Sequence, residues 1–324
     1  MNRLRLLWLC GLLSLVSVHS PTAHGNPKQS AQSQPLRSPS DSQSVLPLDA
    51  LLWQKLSQRL MDLAEQTDAV VGFELCDLRS GQRISHHPDQ VFATASAIKT
   101  ALLVTVLDKL DRAEGSALGS PYVVRSQDLI PSSPILSGLT MGITSLQPRD
   151  LLAIMIATSD NTATNILIDR VGIASVNQLL DRAGLSKMRL LRKMMDSEAV
   201  RQGKENVATP HELALLYEKL WRGELLDPKQ THAALQMLSV SKHGYLDASI
   251  PEEIPVYSKP GSLPGLRVDA GLVMIPQRPF SIAVMVAMPH QERAAELFIE
   301  QLAKEAYLHL SHAARSTPFG RVAP

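Results

Sequence analysis

The sequence predicts a mixed α/β protein of the α+β type, in which an antiparallel sheet built from both ends of the chain packs against helices. Apolar runs typical of strands lie near residues 69–87 and again near 256–288, whereas the stretch between them carries apolar residues at helical spacing. Strands at both sequence ends favour one sheet formed from the two ends, with a helical region inserted between them. A hydrophobic content of 44% in 324 residues is sufficient for a large core.

Two segments are predicted to precede the folded domain. Met1–Arg5 is basic and leads into the apolar run Leu6–Val18, a pattern typical of a secretory signal peptide, which we place at residues 1–25. The run is short for a membrane-spanning helix. We therefore expect a secreted or periplasmic protein without stable membrane insertion after cleavage, with an uncleaved anchor as the alternative. Residues 26–47 are rich in Ser, Gln and Pro and are predicted to form a flexible tether.

We place a single domain at residues 48–312 and a C-terminal tail at 313–324. The first predicted helix of this domain carries an apolar stripe, formed by Leu48, Leu51, Leu52, Leu56, Leu60, Leu63 and Ala64. A hairpin follows, with strands at Ala69–Leu78 and Arg83–His87. Signal cleavage would leave Cys76 as the one remaining thiol, so we expect a buried strand cysteine and no intramolecular disulfide.

The middle of the domain is predicted to be helical, and its last third returns to strands. The expected middle elements are a helix starting near Ser96, a Ser- and Pro-rich loop at 116–146, a helix at Pro148–Ala157, another from Thr162, a polar connection at 184–210 and a helix at His211–Leu226. The expected later elements are strand Val256–Lys259, a break at Pro260–Gly265, strands Val268–Ile275 and Phe280–Met288, and an amphipathic helix at Gln291–His309.

Charge and composition exclude several classes of partner. The formal net charge of +1 and an aromatic content of 4% argue against nucleic-acid binding. His86 and His87 adjoin a Pro at a hairpin edge, which is unsuitable for a metal site. We therefore expect neither a metal site nor a nucleic-acid partner.

Ser96 and Lys99 lie three residues apart in a predicted helix, which places both side chains on one helical face. The apolar run from Ala101 to Leu107 indicates that this helix is buried, and a desolvated Lys loses its proton more easily. The pair can therefore be a nucleophile with its base. It can equally be a helix-capping Ser with a solvated Lys, since Ser239 and Lys242 repeat the spacing elsewhere.

Two further motifs follow this pair in order, Ser159-Asp160-Asn161 and Lys259-Pro260-Gly261. Together, the three resemble the Ser-x-x-Lys, Ser-Asp-Asn and Lys-Thr-Gly triple of class A β-lactamases and penicillin-binding proteins. The resemblance covers about residues 48–309 and implies a β-lactamase-like fold. It implies a serine β-lactamase that opens the amide of a small-molecule β-lactam through an acyl-enzyme on Ser96, without an organic cofactor. The alternatives are a D-Ala-D-Ala peptidase-like or esterase enzyme acting on peptidoglycan-like acyl compounds, and a module that binds β-lactams or cell-wall fragments without turnover. We expect the protein to be a monomer.

The resemblance, together with the chemistry of the side chains, assigns catalytic roles. Ser96 would attack the carbonyl carbon, with Lys99 as its proton acceptor or electrostatic helper. Ser159 would pass a proton to the leaving nitrogen. The backbone N–H groups of Ser96 and Ser262, the latter next to Gly261, would form the oxyanion hole.

Three other residues are expected to bind substrate. Asn161 would hold the amide of the acyl side chain, and Lys259 would attract the substrate carboxylate. Arg267 is a candidate second cation for that carboxylate, or else an ordinary exposed Arg at a strand end. Pro260 departs from the family, which has Thr there, so a hydroxyl is lost that Ser262 or Ser258 would have to replace.

A second departure concerns release of the acyl group. Class A enzymes carry a Glu, and four residues later an Asn, after an Arg-Leu-x-Arg-like segment, and this pair holds the hydrolytic water. Residues 189–193 resemble that lead-in, which places Met194 at the Glu position and Glu198 at the Asn position. A thioether cannot act as a base. Our hypothesis is that Glu198, or as second choice Asp196, reaches the water from the opposite side. The alternative is that no base exists and the acyl-enzyme is long-lived.

Overall fold

The computed structural model describes residues 47–111, 118–240 and 244–322. The predicted signal peptide, the predicted tether apart from Pro47, and Lys242 of the second Ser-x-x-Lys pair lie outside these ranges. The helices are α1 (Pro47–Gln66), α2 (Lys99–Asp111), α3 (Pro148–Ala157), α4 (Asn161–Val171), α5 (Ile173–Arg182), α6 (Ser197–Arg201), α7 (Pro210–Trp221), α8 (Pro228–Leu238) and α9 (Glu292–Arg315). None of the helices in the described ranges has both the length and the apolar character needed to cross a bilayer.

The strands confirm the predicted sheet. They are β1 (Val70–Asp77), β2 (Arg83–His86), β3 (Phe92–Ala93), β4 (Tyr122–Val123), β5 (Ser145–Leu146), β6 (Val207–Ala208), β7 (Val256–Ser258), β8 (Gly261–Leu263), β9 (Leu266–Val273) and β10 (Phe280–Ala287). The main sheet has the order β2-β1-β10-β9-β7, with β8 also paired to β9, and its pairings are antiparallel. Strand β1 from the start of the domain pairs along its whole length with β10 from its end. Separate two-stranded pairs join β3 to β6 and β4 to β5.

Helices cover both faces of the sheet. Leu56 and Leu60 of α1 pack with Ile299 and Leu302 of α9 in one buried cluster, while the helical middle of the chain forms a second cluster around α2. The predicted apolar stripe of α1 is buried from Leu56 onward but not in its first turns, where Leu48 and Leu51 are 46% and 54% exposed. Cys76 is buried in β1 as predicted, and burial raises the pKa of its thiol to about 12.

The structure differs from the predicted elements in several places. The predicted break at 260–265 contains the short strand β8, joined to β9 by a tight turn in which Gly265 has φ of +71°. The helix predicted from Thr162 is divided at Gly172, whose φ of +80° ends α4 and begins α5. Helix α8 was missed, and α9 extends beyond His309 into the predicted tail.

Arg278 ties the two ends of the domain together. Its Nε donates to Asp77 Oδ2 at 2.8 Å, at the end of β1, and its Nη2 donates to Asp49 Oδ2 of α1 at 2.8 Å. Asp77 has no exposed side-chain surface. Removing the guanidinium therefore leaves a buried carboxylate without its counter-charge.

We predict that Arg278→Met lowers the free energy of unfolding by about 3 kcal/mol. The matched control is Arg59→Met, which breaks an ion pair to Glu305 in which Arg59 is 50% exposed. That control should cost less than about 1 kcal/mol. Urea denaturation of both variants measures the difference, and equal losses would contradict the role given to Arg278.

Candidate active site

Ser96 lies in a 3-10 turn at Ala95–Ile98, directly before α2. The sequence predicted a Ser in the first turn of a helix, whereas the α-helix itself begins at Lys99. Ala95 has φ of +46°, a conformation that costs energy for a residue with a side chain, and Thr94 fixes the entry by hydrogen bonds from its N–H and its hydroxyl to Asn206 O. The candidate nucleophile Ser96 therefore lies on a turn whose conformation is stabilised by hydrogen bonds to Asn206.

Lys99 is fully buried, and its amine contacts three acceptors. Nζ lies 2.7 Å from Ser159 O, 3.0 Å from Ser159 Oγ and 2.8 Å from Asn161 Oδ1. Burial lowers the pKa of Lys99 well below its ordinary value, the charge of Lys259 lowers it further, and the carboxylate of Asp160 opposes both effects. Lys99 thus combines full hydrogen bonding with a lowered affinity for protons.

The second motif forms the junction between α3 and α4. Asp160 caps α4 by accepting from Ala163 N at 2.9 Å, and its second carboxylate oxygen accepts from Leu136 N at 3.1 Å. This arrangement fixes the junction to the loop that follows β4. Ser159, with φ of +57°, is thereby turned toward α2. Asp160 therefore positions the backbone of the junction, and its side chain does not line the cavity.

Hydroxyl and amine groups of all three motifs form one hydrogen-bonded chain. Ser159 Oγ donates to Ser96 Oγ at 2.9 Å and accepts from Nζ of Lys99 and, at 3.2 Å, from Nζ of Lys259. Lys259 also donates to Pro260 O at 3.0 Å. The hydrogen bonds therefore connect Ser96 to Lys99 through the Ser159 hydroxyl.

Strand β8 packs directly against the turn that carries Ser96. A Cβ built on Gly261 would lie 2.6 Å from Thr94 O and 2.9 Å from Ser96 N, distances that no side chain allows. Lys259 N–H donates to Ala270 O of β9. Since N–H groups alternate in direction along a strand, position 260 points away from β9, and Pro260 leaves no ladder bond unmade.

Part of each of the three motifs lines a cavity of about 1050 Å³. The cavity wall brings together five of the candidate site residues, Ser96, Ser159, Asn161, Lys259 and Ser262, whereas Lys99 and Gly261 lie behind it. The amide of Asn161 is engaged on both atoms, because Oδ1 accepts from Lys99 and Nδ2 donates to Pro131 O at 3.4 Å.

Arg267 is not brought to this wall. Its Nε donates to Glu296 at 3.0 Å and its Nη2 to Glu292 at 2.5 Å, both on α9, and its third nitrogen donates to Leu263 O and Leu266 O. The side chain is 10% exposed. Arg267 is therefore neither the expected second cation for the substrate carboxylate nor an exposed Arg at a strand end. It is a buried residue whose ion pairs join the sheet to α9.

Met194 lines the cavity and is held from both sides by the side-chain amide of Asn165. Met194 N donates to Asn165 Oδ1 at 2.8 Å, and Asn165 Nδ2 donates to Met194 O at 3.1 Å. Asn165 was not predicted as a site residue. Its spacing of one helical turn from Asn161 is a signal that could have indicated a common face.

The hypothesis that Glu198 replaces the missing base is not supported by its position. Glu198 is 63% exposed, accepts from Arg201 and Gln202, and does not line the cavity. Its place in the first turn of the short helix α6 directs it to solvent. Asp196 does line the cavity, with Oδ1 accepting from Ala199 N at 2.9 Å as the cap of α6.

The chain matches the model of the beta-lactamase enzyme family over residues 55–310. It is 31% identical over 258 residues to beta-lactamase 1 of Streptomyces cacaoi, covering 72% of this chain and 79% of that protein. A solved beta-lactamase from Sphaerobacter thermophilus DSM 20745 is 30% identical with a TM-score of 0.71, covering 79% of this chain and 96% of that one. A mutant of PBP-A in an acyl-enzyme complex with penicillin G is 27% identical with a TM-score of 0.70, at 79% and 96% coverage.

We predict that Lys99 titrates well below pH 10.5, the ordinary pKa of a lysine amine. Above its own pKa the amine is neutral and can accept a proton. The unfolded chain then binds more protons than the native one, so this group makes the free energy of unfolding rise with pH between the native and unfolded pKa values. NMR of ¹³Cε-labelled lysine measures the titration, and Lys99→Arg identifies the signal. Titration near pH 10.5 would contradict the prediction.

Proposed function

The chain belongs to the beta-lactamase enzyme family, and we propose that it acts through an acyl-enzyme formed on Ser96. Within the family it is a class A-like serine β-lactamase, a serine hydrolase whose substrate is a small β-lactam. The observation that carries the proposed mechanism is the hydrogen-bonded chain from Ser96 through Ser159 to Lys99, with steps of 2.9 Å and 3.0 Å.

Acylation uses this chain for proton transfer. Ser96 Oγ forms a bond to the lactam carbonyl carbon, and its proton passes through the Ser159 hydroxyl to neutral Lys99. Both hydroxyl hydrogens rotate freely about their C–O bonds, so Ser159 can receive from Ser96 as well as donate to it. When the carbon–nitrogen bond breaks, Ser159 delivers a proton to the ring nitrogen and regains one from Lys99.

Backbone groups stabilise the charge that develops on the carbonyl oxygen. The alternation that directs position 260 away from β9 also directs Ser262 N–H away from it, and the neighbouring Gly261 packs against Ser96 N. The two N–H groups form the proposed oxyanion hole, in which one donor is worth about 3 kcal/mol. Lys259, adjacent on the same strand edge, attracts the substrate carboxylate.

Release of the acyl group is the slow step in this proposal. Met194 occupies the position from which the family's Glu activates water, and its side chain cannot accept a proton. Among the described residues that line the cavity, Asp196 is the carboxylate, and one of its oxygens is already bound to Ala199 N. The site is thus built for acylation more completely than for hydrolysis.

A D-Ala-D-Ala peptidase-like activity is the second candidate. The observation that favours it is the apolar Met194 at the release position, together with the likeness to PBP-A, a mutant of which forms an acyl-enzyme with penicillin G.

Export is part of the proposal. The basic start Met1–Arg5 and apolar run Leu6–Val18 support a signal peptide, and residues 48–312 would act outside the cytoplasm, where β-lactams and cell-wall peptides occur.

We predict that penicillin G adds its full mass to the protein and that the adduct decays slowly into hydrolysed penicillin. Ring opening leaves no fragment behind, which is why the full mass is expected. Intact-mass spectrometry over time measures both steps, and Ser96→Ala is the control that should show no adduct. Neither adduct nor substrate loss would overturn the acyl-enzyme proposal. Release of D-alanine from a D-alanyl-D-alanine peptide, faster than loss of penicillin, would favour the second candidate.

We predict that Met194→Glu raises the rate of deacylation by about 10²-fold, because it adds a general base on a backbone already held by Asn165. The matched control is Glu198→Gln, which alters a solvent-exposed carboxylate and should leave turnover unchanged. Penicillin hydrolysis followed by absorbance measures both. A strong loss in Glu198→Gln would restore Glu198 to the mechanism, and no gain in Met194→Glu would show that the missing base is not what limits release.

A further inference from the structure

We propose that Tyr245 is a positioning residue for the substrate carboxylate. Its hydroxyl holds the hydroxyl of Ser262, which replaces the hydroxyl that position 260 lacks because it is a proline. The inference rests on the proposed function, since it concerns the carboxylate that Lys259 attracts. It extends that function by a residue outside the three motifs.

The contact joins a loop to the strand that borders the cavity. Tyr245 Oη lies 2.9 Å from Ser262 Oγ, and Ser262 is exposed and lines the cavity together with Lys259 and Pro260. Ser258, the other residue that could replace the lost hydroxyl, is buried and donates to Asp247 at 3.4 Å. Of the two, Ser262 is therefore the one at the site.

The backbone around Tyr245 is fixed to the sheet. Leu246 is fully buried and its N–H donates to Asp269 Oδ2 at 3.0 Å. A Cβ on Gly244 would lie 3.0 Å from the same oxygen and 3.4 Å from Pro260 Cγ, so this backbone packs on the third motif itself. An aromatic side chain with two torsions, held on such a backbone, places its hydroxyl with little loss of entropy.

Either hydroxyl can donate in this contact, and we take Tyr245 as the donor. A phenol is a stronger acid than an aliphatic alcohol, which favours Tyr245 as donor and Ser262 Oγ as acceptor. Burial raises the pKa of Tyr245, so its proton is retained at neutral pH. The hydrogen of Ser262 is then free to point into the cavity, where it supplies a second donor to an anion beside Lys259.

The test is a double-mutant cycle on acylation by penicillin G, measured as the saturation constant and the limiting rate of adduct formation. Tyr245→Phe and Ser262→Ala should each weaken saturation by about tenfold with the limiting rate little changed, since a hydrogen bond to a charged group is lost. In the Ser262→Ala background, Tyr245→Phe should have no further effect. Penicillin G methyl ester, which lacks the carboxylate charge, should show no loss. Tyr307→Phe on α9 is the matched control.

Two results would overturn the role of Tyr245. One is a loss of saturation by Tyr245→Phe that is equal in the wild-type and Ser262→Ala backgrounds, or that is also seen with penicillin G methyl ester. Either finding indicates a structural effect. The other is unchanged saturation in a wild-type protein that does become acylated. Absence of acylation in the wild type would instead overturn the proposed function, and this inference with it.

Discussion

A lysine amine buried without any exposed surface constrains this site more than any other group. Desolvation of an amine is tolerated where its hydrogen bonds are made, and the three acceptors around Lys99 all come from the junction between α3 and α4. That junction must therefore lie against the start of α2. The cap formed by Asp160 and the left-handed backbone of Ser159 are what place it there.

The sheet brings the remaining groups to the same point. Strand β1 at the start of the domain pairs with β10 at its end, and β9 and β8 follow at the edge that faces the nucleophile. Gly261 allows this edge to approach Ser96 N more closely than any side chain permits. A site made of groups far apart in sequence is thus positioned by backbone contacts, with side chains contributing the chemistry.

The sequence predicted the fold class and the meeting of three motifs, because apolar periodicity and motif order are properties of the chain itself. Ser96 and Lys99 were predicted on one helix, but Ser96 lies in the 3-10 turn that precedes α2, and Lys259 follows β7 instead of ending it. The directions of the Arg267 and Glu198 side chains were not predicted, because the direction of a side chain at a strand end or on a short helix depends on its neighbours. Arg267 meets two carboxylates of α9, and Glu198 meets Arg201. Tyr245 carries no local pattern, since its partner is 17 residues away in another element.

The backbone of Met194 is clamped on both its N–H and its carbonyl by Asn165, so the loop keeps its shape whatever side chain stands there. With release as the proposed slow step, the protein removes an antibiotic mainly by binding it covalently, and only slowly by hydrolysing it. Protection of a cell then scales with the number of copies that it makes, and much less with the time for which each copy survives. An enzyme of this kind behaves as a sink of fixed capacity, and gene expression sets that capacity.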